Sequence, residues 1–128
     1  MKILIVDNDI NTVEVLQAAL LQKVNHEIDI AYSGKEALET MKKNGHYDLL
    51  ILDIMMPEIS GLDVCELMIK DEKLKNIPVL LISALPIAST SFQESLESFK
   101  ELKLIKDVLE KPFEIDNLVA KTKSILGE

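Results

Sequence analysis

Cysteine occurs once in the 128 residues, at Cys65, so the chain can form no internal disulfide and a reducing cytoplasm is the expected setting. Arginine is absent, and the 14 basic residues stand against 22 Asp and Glu, for a formal net charge of −8. That deficit argues against direct nucleic-acid binding, where basic side chains must neutralise phosphates. It suits a site that collects cations, or a partner with a basic face. No apolar run approaches the ~20 residues of a transmembrane helix, so no membrane role is expected. Met1 to Val6 begins like a secretory signal, but Asp7 and Asp9 end the apolar stretch well short of one. Repeats, low-complexity segments and linkers are lacking too. The expectation is one domain over residues 1–128, with no output domain in the chain.

What is present is a set of short apolar runs alternating with amphipathic stretches, at 48% apolar residues overall. Lys2 to Val6 reads as a strand, and Asn11 to Gln22 as a helix with Val13, Leu16, Leu20 and Leu21 at helical spacing. Glu27 to Tyr32 alternates like a strand. Ser33, with Glu36 three residues on, caps a helix from about Lys35 to Lys43 that Asn44-Gly45 ends. Asp48 to Leu52 and Pro78 to Ile82 are the continuous runs of strands buried on both faces. Leu62 to Ile69 is a helix, Leu104 to Leu109 a fifth strand despite Lys106 and Asp107, and Glu114 to Leu126 a closing helix. Five βα repeats predict an α/β flavodoxin-like three-layer sandwich: a parallel five-stranded sheet of order 2-1-3-4-5 with helices on both faces.

In such a sheet, ligands sit beyond the carboxyl ends of the strands. This sequence places Asp7, Asn8 and Asp9 after the first strand, Asp53 after the third, Ser83 after the fourth and Lys111 past the fifth. A hard cation such as Mg²⁺ takes oxygen ligands of this kind. A carboxylate attacking a phosphoryl group needs a cation to neutralise charge, and a lysine and a hydroxyl can hold the remaining phosphoryl oxygens. Each residue alone has a plainer explanation: Asn and Asp cap helices, and Lys111 could be a solvated charge. Jointly they fit a reaction. Cys65 shares a helix face with Leu62 and Ile69 and reads as a packed thiol. His26 and His46 receive no role.

The runs Ile3-Leu4-Ile5-Val6-Asp7, Leu49-Leu50-Ile51-Leu52-Asp53, Met56-Pro57 with Gly61, Ile82-Ser83-Ala84 and Lys111-Pro112-Phe113 resemble the receiver domains of two-component response regulators. The resemblance covers nearly the whole chain, in order. It implies that Asp53 is the phosphoacceptor, supplied by a sensor histidine kinase or a histidine phosphotransfer protein. It implies Mg²⁺, with Mn²⁺ as a substitute, held by Asp7, Asn8, Asp53 and the Met55 backbone carbonyl, with Asp9 as an additional candidate. Ser83, Ala84 and Lys111 are implied to bind the phosphoryl group and start the switch, and the bond from Lys111 to Pro112 to be cis. The downstream partner stays unspecified, and no enzymatic activity is expected beyond self-phosphorylation and self-dephosphorylation.

The chain departs from the family pattern in several places. Asn8 replaces an acid, which predicts weaker metal binding. Val108 stands where a Tyr or Phe usually couples the site to a signalling face. Ser83 and Lys111 are 28 positions apart (111 − 83), longer than usual, which predicts an extended fourth helix or reshaped loop around Leu96 to Lys103. Met55 and Leu85, two residues past Asp53 and Ser83, are apolar and predict slow loss of the phosphoryl group. Two other readings stand beside this one. One is a pseudo-receiver that binds a partner without phosphorylation. The other is a haloacid dehalogenase-like phosphatase using Asp7, although Asn11 and the missing later acidic pair fit that family poorly.

Overall fold

The computed structural model describes residues 1–23, 27–84 and 104–128. Its strands are β1 (Lys2–Val6), β2 (Glu27–Ala31), β3 (Leu49–Asp53), β4 (Val79–Ser83) and β5 (Ile105–Glu110). All pair in parallel, in the order β2-β1-β3-β4-β5. The described helices are α1 (Ile10–Lys23), α2 (Gly34–Asn44), α3 (Gly61–Ile69) and α4 (Ile115–Leu126). The expected fourth-repeat helix, Leu85 and His26 lie outside the described residues. No described helix is long and apolar enough to cross a membrane.

The central strands are the unbroken apolar runs, because a strand covered by helices on both faces has no solvent side to make polar. Every residue of β3 and β4 is buried. Side chains alternate across the sheet and build two cores. Leu4, Val6, Leu50, Leu52, Val79 and Leu81 face α2 and α3. Ile3, Ile5, Leu49, Ile51, Leu80 and Ile82 face α1 and α4. Burial of these aliphatic side chains, at about 1.5–3 kcal/mol each, is the main favourable contribution to the fold.

Strand ends shift by a residue from the sequence expectation, for local reasons. Asp48 precedes β3 and bonds Lys2 twice, its carboxylate accepting the Lys2 backbone N–H at 2.8 Å and its own N–H donating to the Lys2 carbonyl at 2.8 Å. Pro78 has no N–H to give a ladder, but its carbonyl accepts from Leu50 at 2.9 Å. Ser33 caps α2 through the Glu36 N–H, as its spacing predicts. The full capping box belongs instead to α3, where Ser60 and Asp63 bond reciprocally.

The charged pair Lys106-Asp107 is absorbed by a bulge. Val79 pairs with Ile105 but Leu80 pairs with Asp107, which leaves Lys106 as the extra residue. Because a one-residue insertion reverses the facing of everything after it, Ile105 packs on the α2/α3 side while Leu109 packs on the α1/α4 side. Asp107 then meets Lys121 of α4 at 2.8 Å.

Candidate functional site

The sheet order reverses between β1 and β3, and the crevice beyond their carboxyl ends collects the polar residues. Asp7 follows β1 directly. Its N–H still bonds to Ala31 at 3.2 Å, so the ladder holds the residue rigid. Its carboxylate is buried, with Oδ1 accepting from the Asp9 N–H at 2.9 Å and Oδ2 from Lys111 Nζ at 3.1 Å. Asp53 is the last residue of β3 and only 3% exposed. Its Oδ1 accepts from the Met55 N–H at 3.3 Å, and its Oδ2 lies 3.7 Å from Lys111 Nζ.

The connection after Asp53 is pressed onto the strand end. The Gly61 N–H bonds to the Ile54 carbonyl at 2.9 Å. A Cβ on Gly61 would stand 2.3 Å from the Asp53 carbonyl oxygen, so only glycine lets α3 begin there. Lys111 is held from the other side, its N–H bonding to the Ser83 carbonyl at 2.7 Å, and its bond to Pro112 is cis.

Burial pushes the Asp53 carboxyl up to about 6, the Asp7 charge adds to the rise, and the Lys111 ammonium opposes it. The physical picture is two buried carboxylates sharing one ammonium, so one more cation would balance the site. Among the described residues, no group of three or more His, Cys, Asp or Glu gathers as a metal cage. A hard cation here would therefore draw its remaining ligands from amide or backbone oxygens, water and phosphate, as Mg²⁺ does.

The other sequence-predicted residues are distributed as follows. Ser83 is buried at the end of β4, opposite Glu110 of β5, and Ala84 after it is exposed. Asn8 is exposed beside Asp7. Asp9 is exposed and turned to α1: it accepts from the Thr12 hydroxyl at 2.9 Å and the Asn11 N–H at 3.0 Å. The Thr12 hydroxyl, with the Asn11 N–H, holds the Asp9 carboxyl below its ordinary value. The Met55 side chain is 52% exposed. Val108 pairs with Leu81 and packs, half-buried, against the core on the α2/α3 side.

Sequence reasoning missed two features. Gly61 stands in the sequence only as a motif residue after Met56-Pro57, while its close approach to the Asp53 backbone needs the tertiary placement of α3. A largely apolar cleft of about 480 Å³ also opens beside Lys111, lined by Asn11, Thr12, Val15, Pro112, Phe113 and Ile115. Its only sequence signal is the outward placement of Val15 on α1.

Comparison with known proteins agrees with this fold. The model of the response regulator receiver domain matches residues 3–123. A transcriptional regulatory protein of Haemophilus influenzae, the CpxR homolog, is 35% identical over 126 residues, which is 98% of this chain and 50% of that protein. The chain thus spans about half the length of the curated relatives it matches. Among solved structures, a Francisella response regulator receiver domain superposes with a TM-score of 0.81 at 29% identity, covering 98% of this chain and 96% of that one. The Thermotoga maritima response regulator TrrA, solved in complex with Mg²⁺ and beryllofluoride, gives a TM-score of 0.76 at 34% identity and 97% coverage of both chains.

Proposed function

The chain belongs to the response regulator receiver domain family, and from that premise we propose that Asp53 is its phosphoacceptor in a Mg²⁺-dependent reaction. The observation that carries the proposal is the Asp53 carboxylate itself. It is buried at the end of β3, with its Oδ2 3.7 Å from the Lys111 ammonium that also binds Asp7. The donor is a phosphohistidine of a sensor kinase or phosphotransfer protein. An Asp53 carboxylate oxygen attacks phosphorus, the new P–O bond forms, and the P–N bond to the donor imidazole breaks with its electron pair leaving on nitrogen.

Asp7, Asn8, Asp53 and the Met55 carbonyl would hold Mg²⁺. The bound cation would neutralise charge on the phosphoryl oxygens as it transfers. Mn²⁺, also an oxygen-seeking divalent ion, is the expected substitute. Lys111 holds a phosphoryl oxygen once it swings from Asp7, and the buried Ser83 hydroxyl with the Ala84 backbone takes another. The network through Asp9 N–H keeps Asp7 oriented. Asp9 itself is committed to capping α1, so it supports the site through its backbone.

Val108 lacks the ring that would report phosphorylation at the β5 edge. The output is therefore proposed to run through Ser83 and the backbone after β4, toward a protein partner in the cytoplasm. Direct nucleic-acid contact is not assigned to these 128 residues, given their net charge of −8.

Mass spectrometry after incubation with acetyl phosphate and Mg²⁺ tests the assignment. One phosphoryl group on the peptide carrying Asp53, absent in Asp53→Asn, is the expected result. A label on Asp7 would restore the phosphatase reading, and no label under any divalent ion would restore the pseudo-receiver.

A further inference from the structure

At the opposite end of the sheet from Asp53, a cleft of about 310 Å³ is lined by Met41, Lys42, Lys43, Gly45, His46 and Lys73. Its volume is at the lower end of the roughly 300–1,000 Å³ typical of small-molecule sites. The chain carries 14 basic residues and a net charge of −8, yet three exposed lysines line this one cleft. The carboxylates nearest in sequence each have partners of their own, two of them, Asp48 and Asp71, on the lining residues His46 and Lys73. Asp48 accepts from His46 and from the Lys2 N–H, Glu72 pairs with Lys75, and Asp71 accepts the Lys73 backbone N–H. Among the described residues, none of Lys42, Lys43 and Lys73 has an ion-pair partner.

The plainer explanation covers part of this. Lys42 and Lys43 stand in the last turn of α2, where a positive charge complements the helix dipole. It does not cover Lys73, which comes from the separate connection of residues 70–78, nor the cleft between the two segments. The Lys73 backbone is fixed by its bond to Asp71 at 2.8 Å. Gly45, with φ of +82°, turns the chain away at the end of α2 and leaves open space where a side chain would stand.

We propose that this cleft is a second anion site, distinct from the Asp53 crevice, that takes a small molecule bearing a diphosphate group. Lysine binds phosphate as a point charge without a fixed plane. Three ammonium groups from two segments suit neighbouring phosphoryl groups better than a single carboxylate. The two sites are separable, since five residues of β3 set them about 15 Å apart.

Inorganic pyrophosphate is the probe, titrated by calorimetry at low ionic strength with EDTA present, into the full chain carrying Asp53→Asn. The substitution and the chelator remove the metal-dependent crevice from the measurement. Saturable binding of one pyrophosphate per chain is expected. Lys73→Gln and the pair Lys42→Gln with Lys43→Gln should each weaken it by about fivefold or more, while Lys35→Gln at the other end of α2 should not. Circular dichroism of each variant confirms folding. Absence of saturable binding overturns the proposal, as does equal weakening by Lys35→Gln, which would mark diffuse attraction. Tighter binding of a polyglutamate peptide than of pyrophosphate would overturn it in favour of a protein interface.

Discussion

Lys111 Nζ lies 3.1 Å from Asp7 Oδ2 and 3.7 Å from Asp53 Oδ2, nearer the neighbour than the proposed acceptor. The ammonium thus occupies an oxygen that a divalent cation would use. Metal binding at Asp7, as proposed, would compete with the Lys111–Asp7 contact. Lys111→Met should tighten Mg²⁺ by about fivefold, because the cation no longer displaces an ammonium. The same variant should lose most acetyl phosphate labelling, since no ammonium remains for the phosphoryl oxygens. Metal titration and labelling rate measured on one preparation check both; looser metal binding would count against competition.

Asn8 contributes no charge at a position where the family pattern has an acid. Asn8→Asp should tighten Mg²⁺ by about tenfold through one added carboxylate. Equal affinities in the two proteins would show that position 8 does not face the metal.

The raised Asp53 carboxyl gives a pH signature in the absence of metal. Its ordinary value is 3.8 and burial beside Asp7 lifts it to about 6 in the fold. Between those values the folded chain holds more protons than the unfolded one, so stability falls as pH rises from about 4 to 6. Above that window the charged, crowded Asp53 leaves the wild type less stable. Asp53→Asn should therefore be more stable than wild type by roughly 2 kcal/mol at pH 7 and converge with it near pH 4. Urea denaturation in EDTA at both pH values measures the difference. A constant gap across pH would mean that titration is not its source.

Gly61→Ala places a methyl group 2.3 Å from the Asp53 carbonyl oxygen. The start of α3 must move away, at a cost of about 1–3 kcal/mol in stability. Labelling of Asp53 should slow as well, because Met55 and the strand end shift together. A crystal structure of the variant with α3 unmoved would remove this explanation.

Met55, exposed two residues past Asp53, offers no group to orient a hydrolytic water. Met55→Asn should shorten the lifetime of the phosphorylated chain by several-fold, followed by loss of the phosphorylated mass with time. An unchanged lifetime would place the slow step elsewhere.

Much of the fold was legible because its signals are local. The runs ending at Val6, Leu52 and Ile82 are unbroken and aliphatic, the pattern of strands buried on both faces. Ser33 and Asn44-Gly45 bracket α2 by capping chemistry that needs no partner. Val108 at a position that usually holds an aromatic, and Asn8 at one that usually holds an acid, were likewise visible as residues. The Lys106-Asp107 pair looked like a weakness in β5 because a bulge is invisible until its partner strand is placed.

By itself the sequence determined the five-strand alternation, the two-sided burial of β3 and β4, and the polar set at the strand ends, since these follow from periodicity and chain stops. Only the tertiary structure decided that Lys111 pairs with Asp7 across 104 residues, that Asp9 turns to cap α1, and that Gly61 must lack a side chain. It also decided the charge balance at Asp53. Those outcomes depend on which distant groups share one low-dielectric crevice, and no local pattern encodes that.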